Sequence, residues 1–388
     1  MKDFNIVEVD DEVREKLLTD FPEDGKLLSI RPPSSVSLND MERLFNTFHT
    51  VKTRSEFLKG TVNDSDTCGL EIWYDKGQFE FVFYVPNKEQ ERHYRKQFVG
   101  HFDEIGIEEK VETSFLPMED GDYVTGGRFH LNHHYFEPVN HTDFTHTDAY
   151  QPILSEMDSR DDTKAILQVL YKPAMSSWTK TPFGSVSDYA DNIQNGYRKT
   201  RKLGIFPSKE EYPESYKNVA PAIRSQEDDL AFHVNIRLFF VSPSDSEKLE
   251  QQARNVEHQI AREYKRQNGQ TFDIQPVSDK DELIELVDIM SNRKEHTMTR
   301  ASGYKIYFKT LMKKVPILGR FIRDIYKTRM IMTIPELAAV CHLTDSDLLD
   351  TIVGADDVYQ GGNVPEEISS HDPMTEEEKV KAKKGDSE

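Results

Sequence analysis

Histidines and carboxylates are concentrated between residues 127 and 148, and together they could bind a metal ion or carry protons. Five of the thirteen histidines lie there, interleaved with three carboxylates, and these are ligands that Zn²⁺ and similar ions take. The spacing does not favour a helical H-E-x-x-H site, because His130 and His133 lie in a predicted strand or loop. In an extended strand His130 and His134 share a face, whereas His133 points to the other face. We therefore predict no metal site and interpret the cluster as polar residues on a strand edge and surface turn, with His130, His134 and His141 as the candidate ligands if a metal binds.

A second concentration of chemistry is the basic segment, residues 293–329, in an otherwise acidic chain. Between residues 291 and 330 there are eleven Lys or Arg against Glu295 and Asp324, although the whole chain has a formal net charge of −20. Aromatic and aliphatic side chains alternate with these cations. Three kinds of surface suit such a segment: DNA phosphates, anionic lipid, or an acidic protein surface, its own or a partner's. The contact residues that we predict are Lys305, Lys309, Lys313, Lys314, Arg320, Arg323 and Lys327.

Patterns for nucleotide hydrolysis and nucleophilic catalysis are absent from the sequence. It holds no G-x-x-x-x-G-K-[ST] P-loop, no Walker B motif and no G-x-S-x-G elbow. Cys68 and Cys341 belong to no C-x-x-C pair, which argues against a thiolate zinc site and a disulfide scaffold. We predict a protein that is not an enzyme and needs no cofactor. The alternative hypothesis is a metal-dependent enzyme that uses the histidines from His130 to His146.

Composition restricts the cellular location of the chain and the partners that it can bind. Hydrophobic residues make up 36% of the chain and charged residues 30%, and its net negative charge repels nucleic-acid backbones, so DNA contact requires the local basic segment. The first residues lack the apolar stretch of a signal peptide, and no window reaches the roughly 18 apolar residues of a membrane span. We expect a cytoplasmic protein, peripheral at the membrane if the basic segment meets lipid.

Two successive regions show the alternation of strands and helices typical of an α+β fold. Residues 27–110 predict β-α-β-β-α-β: a strand stopped by Pro32-Pro33, an amphipathic helix, a hairpin around Gly77, a second helix and a last strand. Residues 125–276 repeat this order, with a long polar insertion between their two clearest strands. The sequence therefore predicts tandem ferredoxin-like units with antiparallel sheets. We place the first unit at 1–118, the second at 119–278 with its insertion at 174–228, a helical basic segment at 279–354 and a disordered acidic tail at 355–388.

The order of these pieces resembles the N-terminal, pre-motor region of archaeal and bacterial type IV secretion and conjugation coupling ATPases of the HerA/FtsK type. The resemblance covers about residues 27–345. Its pieces are residues 38–49, 71–74, 79–86, 151–154, 166–173 with Trp178, 232–238 and 335–343. The last piece, Pro-Glu-Leu-Ala-Ala-Val-Cys-His-Leu, is similar to the segment that precedes the motor in that family, although His342 is followed by Leu343-Thr344 rather than by proline.

The resemblance implies a role in DNA transfer, and the missing motifs imply that any motor is a separate chain. Family members carry Walker A and Walker B motifs after this region, whereas here 44 polar, acidic residues follow Thr344. We expect a non-catalytic accessory or assembly module that acts by oligomerisation and docking, with a P-loop ATPase as a partner in trans. A structural protein encoded by a virus or plasmid is a further alternative.

Overall fold

The computed structural model describes residues 4–17, 25–59, 67–75, 77–110, 118–142, 144, 148–158, 162–174, 176–181, 184–195, 197–200, 208–211, 214–243, 246–266, 269–294, 298–299, 327–328 and 330–347. The strands, in chain order, are β1 (Val7–Glu8), β2 (Lys26–Arg31), β3 (Cys68–Asp75), β4 (Gln78–Val85), β5 (Gly106–Lys110), β6 (Tyr123–Leu131), β7 (Lys164–Pro173), β8 (Lys180–Thr181), β9 (Gly184–Ser185), β10 (Tyr197–Thr200), β11 (Ser208–Glu211), β12 (Ala231–Ser242), β13 (Phe272–Pro276), β14 (Met298–Thr299), β15 (Lys327–Thr328) and β16 (Ile331–Thr333). The helices are α1 (Asp11–Leu17), α2 (Leu38–Lys59), α3 (Lys88–His101), α4 (Tyr150–Met157), α5 (Val186–Gln194), α6 (Glu214–Lys217), α7 (Ala220–Ser225), α8 (Ser246–Glu263), α9 (Lys280–Ser291) and α10 (Ile334–Val340).

Ten strands form one open antiparallel sheet, which confirms the predicted α+β class. Its order is β1-β6-β12-β7-β3-β4-β2-β5, with β13 also paired to β6 and β16 to β12. The centre of the sheet is the ladder between β3 and β7, which runs from Cys68 opposite Tyr171 to Asp75 opposite Lys164. This ladder joins the first half of the chain to the second without a break in the hydrogen bonding.

Strand alternation divides the apolar side chains between two faces of the sheet. The first face is covered by α2, α3, α4, α8 and α10, and their apolar residues form a single buried cluster with it. The second face is covered by α1 and α9, through residues such as Val13, Leu283 and Leu286. The first-face cluster includes residues from both halves of the chain, so the two halves share one hydrophobic core.

The insertion predicted at 174–228 holds the short hairpins β8–β9 and β10–β11 and the helices α5 to α7. Trp178, Val186, Ile193 and Ile223 bury their side chains in a third apolar cluster with Phe136. Because Phe136 follows β6, this cluster attaches the insertion to the main sheet.

The region that we assigned to a helical basic segment, 279–354, is distributed over the molecule. Helix α9 lies on the second face, β16 pairs antiparallel with β12, and α10 lies in the first-face core. The predicted acidic tail, 355–388, lies outside the described residues.

Candidate functional site

Six of the seven predicted contact residues, all except Lys327, lie outside the described residues. Lys327 belongs to β15, which pairs antiparallel with β14, so that Met298 lies opposite Thr328 and Thr299 opposite Lys327. The strands that flank residues 300–326 are therefore held beside one another. The described residues around these ends define where the basic segment starts and returns.

The segment starts at the C-terminus of α9, which closes with a Schellman motif. The Arg293 N–H donates to the Met290 carbonyl at 3.2 Å and the Lys294 N–H donates to the Ile289 carbonyl at 3.0 Å. This motif needs a left-handed residue, for which glycine is the usual choice. Here the position is occupied by Arg293, with a φ of 48°.

The side chain of Arg293 explains its place, because it forms a fully buried ion pair with Glu71 of β3. Its Nε donates to Glu71 Oε1 at 3.0 Å and its second terminal nitrogen to Glu71 Oε2 at 3.2 Å. Both side chains have an exposed fraction of 0%. The Trp73 indole donates to the same carboxylate at 2.8 Å, so the glutamate charge is compensated on several sides.

Glu71 begins a row of polar side chains across the middle of the second face, which we call the central polar row. Its members, Glu71, Gln168, Arg237 and Arg128, are successive register partners on β3, β7, β12 and β6. The Gln168 amide donates to Glu71 at 2.8 Å and its oxygen accepts from Arg237 at 2.8 Å. The row therefore connects the two halves of the chain across the β3–β7 junction.

The central polar row also binds the last carbonyls of α9. Arg237 donates to the carbonyls of Ile289, at 3.0 Å, and of Lys294, and Gln168 donates to that of Met290 at 3.1 Å. Cationic donors at a helix C-terminus are favoured by the helix dipole and satisfy orphan carbonyls. The end of α9 is thus fixed on the centre of the sheet.

Tyr84 and Arg128 add two further contacts around the buried pair and α9. The Arg293 guanidinium carbon lies 5.7 Å from the centre of the Tyr84 ring, and burial raises the pKa of Tyr84 to about 12, although the positive charge of Arg293 opposes this. Burial lowers the pKa of the Arg128 guanidinium, while the charge of Glu285 raises it. Arg128 lies 3.3 Å from Glu285 of α9, a second charged contact between helix and sheet.

The surface that we predicted for residues 293–329 must be corrected at its first residue. Arg293 is inside the protein and cannot meet DNA, lipid or a partner in this arrangement, whereas Lys294 lies beside Asp288 with its side chain 56% exposed. The sequence did contain a signal for the row. Glu71 and Gln168 each interrupt an otherwise apolar stretch of a predicted strand, and Arg237 is one of the polar residues that alternate with apolar ones in another.

The candidate metal ligands point to different partners. His130 Nε2 lies 3.5 Å from Asp273, and His141 Nδ1 lies 3.0 Å from the Val139 carbonyl. His134 is stacked between Tyr135 and Tyr189, and His146 lies outside the described residues. Within the described ranges, no group of three or more His, Cys, Asp or Glu side chains is arranged to hold a metal ion.

The remaining histidine of the cluster, His133, joins a polar contact that the sequence did not reveal. Its Nδ1 lies 3.0 Å from Glu137, which also accepts from the hydroxyls of Tyr189 at 2.6 Å and Tyr216 at 2.5 Å. Burial raises the pKa of Glu137, but these three hydrogen bonds prevail and lower it below its usual value. Since Tyr189 lies on α5 and Tyr216 on α6, the ionised carboxylate ties the insertion to the loop after β6.

The piece that resembles a pre-motor segment is folded into the core. Glu336 of α10 is buried and accepts from the Thr333 N–H at 2.9 Å and the Thr333 hydroxyl at 2.8 Å. It also accepts from the Val139 N–H at 2.9 Å and the Gln226 amide at 3.0 Å. The start of α10 is thus bonded to the loop after β6 and to the insertion.

The end of α10 is held by buried aromatic side chains of the second half. Tyr150 donates to the Val340 carbonyl and Tyr264 donates to that of Ala339 at 3.0 Å. His342 Nδ1 lies 3.1 Å from the Ala339 carbonyl and its Nε2 lies 2.7 Å from Asp148. The ring of His342 therefore connects the end of α10 to Asp148, just before α4.

Comparison with known proteins gives a family match. A family model described as "Domain of unknown function (DUF8128)" matches residues 2–353 of the chain. The search of curated proteins found no match to the chain.

Among the described residues, the structure contains no helix with the length and apolar character needed to cross a membrane.

Proposed function

We propose that this chain, which belongs to the DUF8128 family, is a non-catalytic assembly module of a DNA-translocating ATPase complex of the type IV secretion kind. It docks onto a P-loop ATPase in another chain, forms oligomers with its own copies, and presents the basic segment to DNA. The resemblance of its pieces, in order, to the pre-motor region of such ATPases supports this proposal.

The proposal includes a fold of two tandem ferredoxin-like units. The strand orders β5-β2-β4-β3 and β13-β6-β12-β7 support it. Each places the fourth strand of a β-α-β-β-α-β unit beside the first, followed by the third and second. The connecting helices α2 and α3, and α4 and α8, pack on the same face. Pairing of the second strands, β3 and β7, makes the two units one platform.

The single observation that carries the docking role is the position of α10. In the resembling family this piece leads directly to the motor, and here its two ends are bonded to Val139, Tyr150, Tyr264 and Asp148 of the second half. It also packs against α2 of the first half. A motor that docks beside this element is therefore held in a defined orientation to the whole sheet.

A pull-down with the tagged full chain tests the docking role. We expect a P-loop ATPase of the conjugation type to co-purify, and no ATP hydrolysis by the chain alone. Failure to recover such an ATPase with a folded chain, judged by circular dichroism, would count against the proposal, as would ATP turnover by the isolated chain.

The DNA role is tested by charge reversal within the basic segment. We expect K313E/K314E to weaken binding to duplex DNA and to make the slope of log K against log salt concentration shallower by about two. Fluorescence anisotropy at several salt concentrations measures both. The control R92E/K96E makes the same charge change at exposed positions of α3 and should have a smaller effect. Equal losses for both variants would contradict a specific role for the basic segment.

A further inference from the structure

We propose that Glu71 and Arg293 form a latch that holds the start of the basic segment on the centre of the sheet. The latch rests on the proposed function only for its effect on DNA binding, since its effect on α9 can be measured without DNA. It makes Arg293 a positioning residue for the basic segment rather than one of its contact residues.

The backbone of Arg293 is the first argument. A left-handed conformation is unfavourable for any residue with a Cβ, and a helix C-terminus of this kind would form more readily with glycine. Arg293 adopts a φ of 48° there. Such an outlier persists where the surrounding contacts over-determine it, and here the contact is the bidentate pair with Glu71.

The position of the pair is the second argument. Glu71 and Arg293 are separated by 222 residues in the chain, and the glutamate lies on the strand that joins the two halves. Arg293 is followed within five residues by β14, whose pairing with β15 brings together the two ends of residues 300–326. The latch therefore fixes the residue at which the basic segment begins to the strand that joins both halves of the sheet.

The third argument is the contrast with Lys294, the next residue. Its ammonium group lies 3.3 Å from Asp288, and both side chains are about half exposed, 56% and 44%. An exposed pair of this kind contributes little, whereas loss of one partner of a buried pair is severe. Of these two adjacent cations, Arg293 is the one whose side chain attaches the end of α9 to the sheet.

The test is Glu71→Gln in the full chain, measured by amide hydrogen exchange and by duplex DNA binding. We expect protection of the Arg293 and Lys294 amides to fall by about tenfold or more, because the closing turn of α9 opens locally. We also expect DNA binding to weaken by about threefold or more, because the start of the basic segment is no longer bonded to Glu71 and its binding-competent arrangement is less populated. Simple electrostatics predicts the opposite sign, since the substitution removes a negative charge from an acidic protein.

Asp288→Asn is the matched control. It removes one negative charge from the exposed pair on the same helix, and we expect it to change neither measurement by more than about twofold. If Asp288→Asn and Glu71→Gln behave alike, or if Glu71→Gln leaves both the amides and the DNA affinity unchanged, the latch is overturned.

The double variant E71Q/R293G separates the latch from the helix cap. Glycine restores an unstrained C-terminus without leaving a buried unpaired charge, so we expect amide protection at residue 294 to recover while DNA affinity stays low. Recovery of both would overturn the latch, because the cap alone would then suffice. If the wild-type chain binds no DNA, the DNA role fails, and the latch is decided by amide exchange alone.

Discussion

At the residue scale, three carboxylates inside the molecule each have hydrogen-bonding partners of matching chemistry. Glu71 faces Arg293, Asp148 faces His342, and Glu137 receives three donors. Buried charges are tolerated only when they are paired and hydrogen-bonded in this way. These pairs therefore tie distant parts of the chain to one another.

The Asp148–His342 contact makes stability depend on acid pH. Burial raises the pKa of Asp148, but the charge and hydrogen bond of His342, together with the Tyr150 N–H, lower it below its usual value. A carboxyl with a lowered pKa stabilises the folded state above its unfolded pKa and loses this contribution as the pH falls through the folded pKa. We expect wild type to lose more stability than Asp148→Asn between about pH 5 and pH 3, measured by urea unfolding. Parallel losses in the two proteins would contradict this.

Residue types alone revealed part of this chemistry. The concentration of histidines was visible, but its outcome was set by partners far along the chain: His133 and Glu137 meet tyrosines of the insertion, and His130 meets Asp273. Arg293 was grouped with the surface cations because its neighbours are basic. Nothing local shows that its partner is Glu71.

At the element scale, sequence patterns predicted those elements that depend only on residues close to one another in the chain. Helix α9 lies at the start of the stretch predicted as helical, 279–354, and runs over Lys280–Ser291, with Asp279 accepting from the Glu282 N–H at 2.9 Å as its N-cap. The hairpin at Gly77 was expected from turn chemistry, and this glycine adopts a φ of 83°. Pairing of β3 with β7 had no local signal, because apolar strands do not specify their partners across separate units.

Helix α10, which lies in the piece that resembles a pre-motor segment, is an element of the core. Leu337, with an exposed fraction of 0%, packs in the cluster that both halves share. We expect Leu337→Ala to destabilise the protein by about 2–5 kcal/mol, from lost burial and the cavity left behind. Chemical denaturation measures this. Leu230→Ala, at a position 42% exposed, should cost less than about 1 kcal/mol, and similar costs at both positions would show that α10 is peripheral.

At the scale of the whole molecule, one sheet and one shared core predict a single unfolding transition. A chain of 388 residues would ordinarily be expected to unfold in stages. The β3–β7 ladder and the central polar row cross the boundary between the halves, so we expect the halves to unfold together.

The two tryptophans make this prediction measurable. Trp73 lies on β3 in the first half, and Trp178 lies in the insertion of the second half. In the single-tryptophan variants W178F and W73F, we expect the fluorescence midpoint in urea to coincide with the circular dichroism midpoint of the same variant. Separate midpoints would show that the halves are independent domains.

The paired ends of residues 300–326 also bear on how such a chain can diversify. Because β14 and β15 pair with each other on either side of this stretch, its two flanking strands are neighbours, and the entropic cost of altering the length between them grows slowly. We expect insertions, deletions or exchange of the 27 residues between β14 and β15 to leave the ladders of the described residues in register. We therefore expect relatives of this chain to vary in length and composition between β14 and β15, and so to suit a different nucleic acid, lipid or protein surface, while the main sheet stays the same.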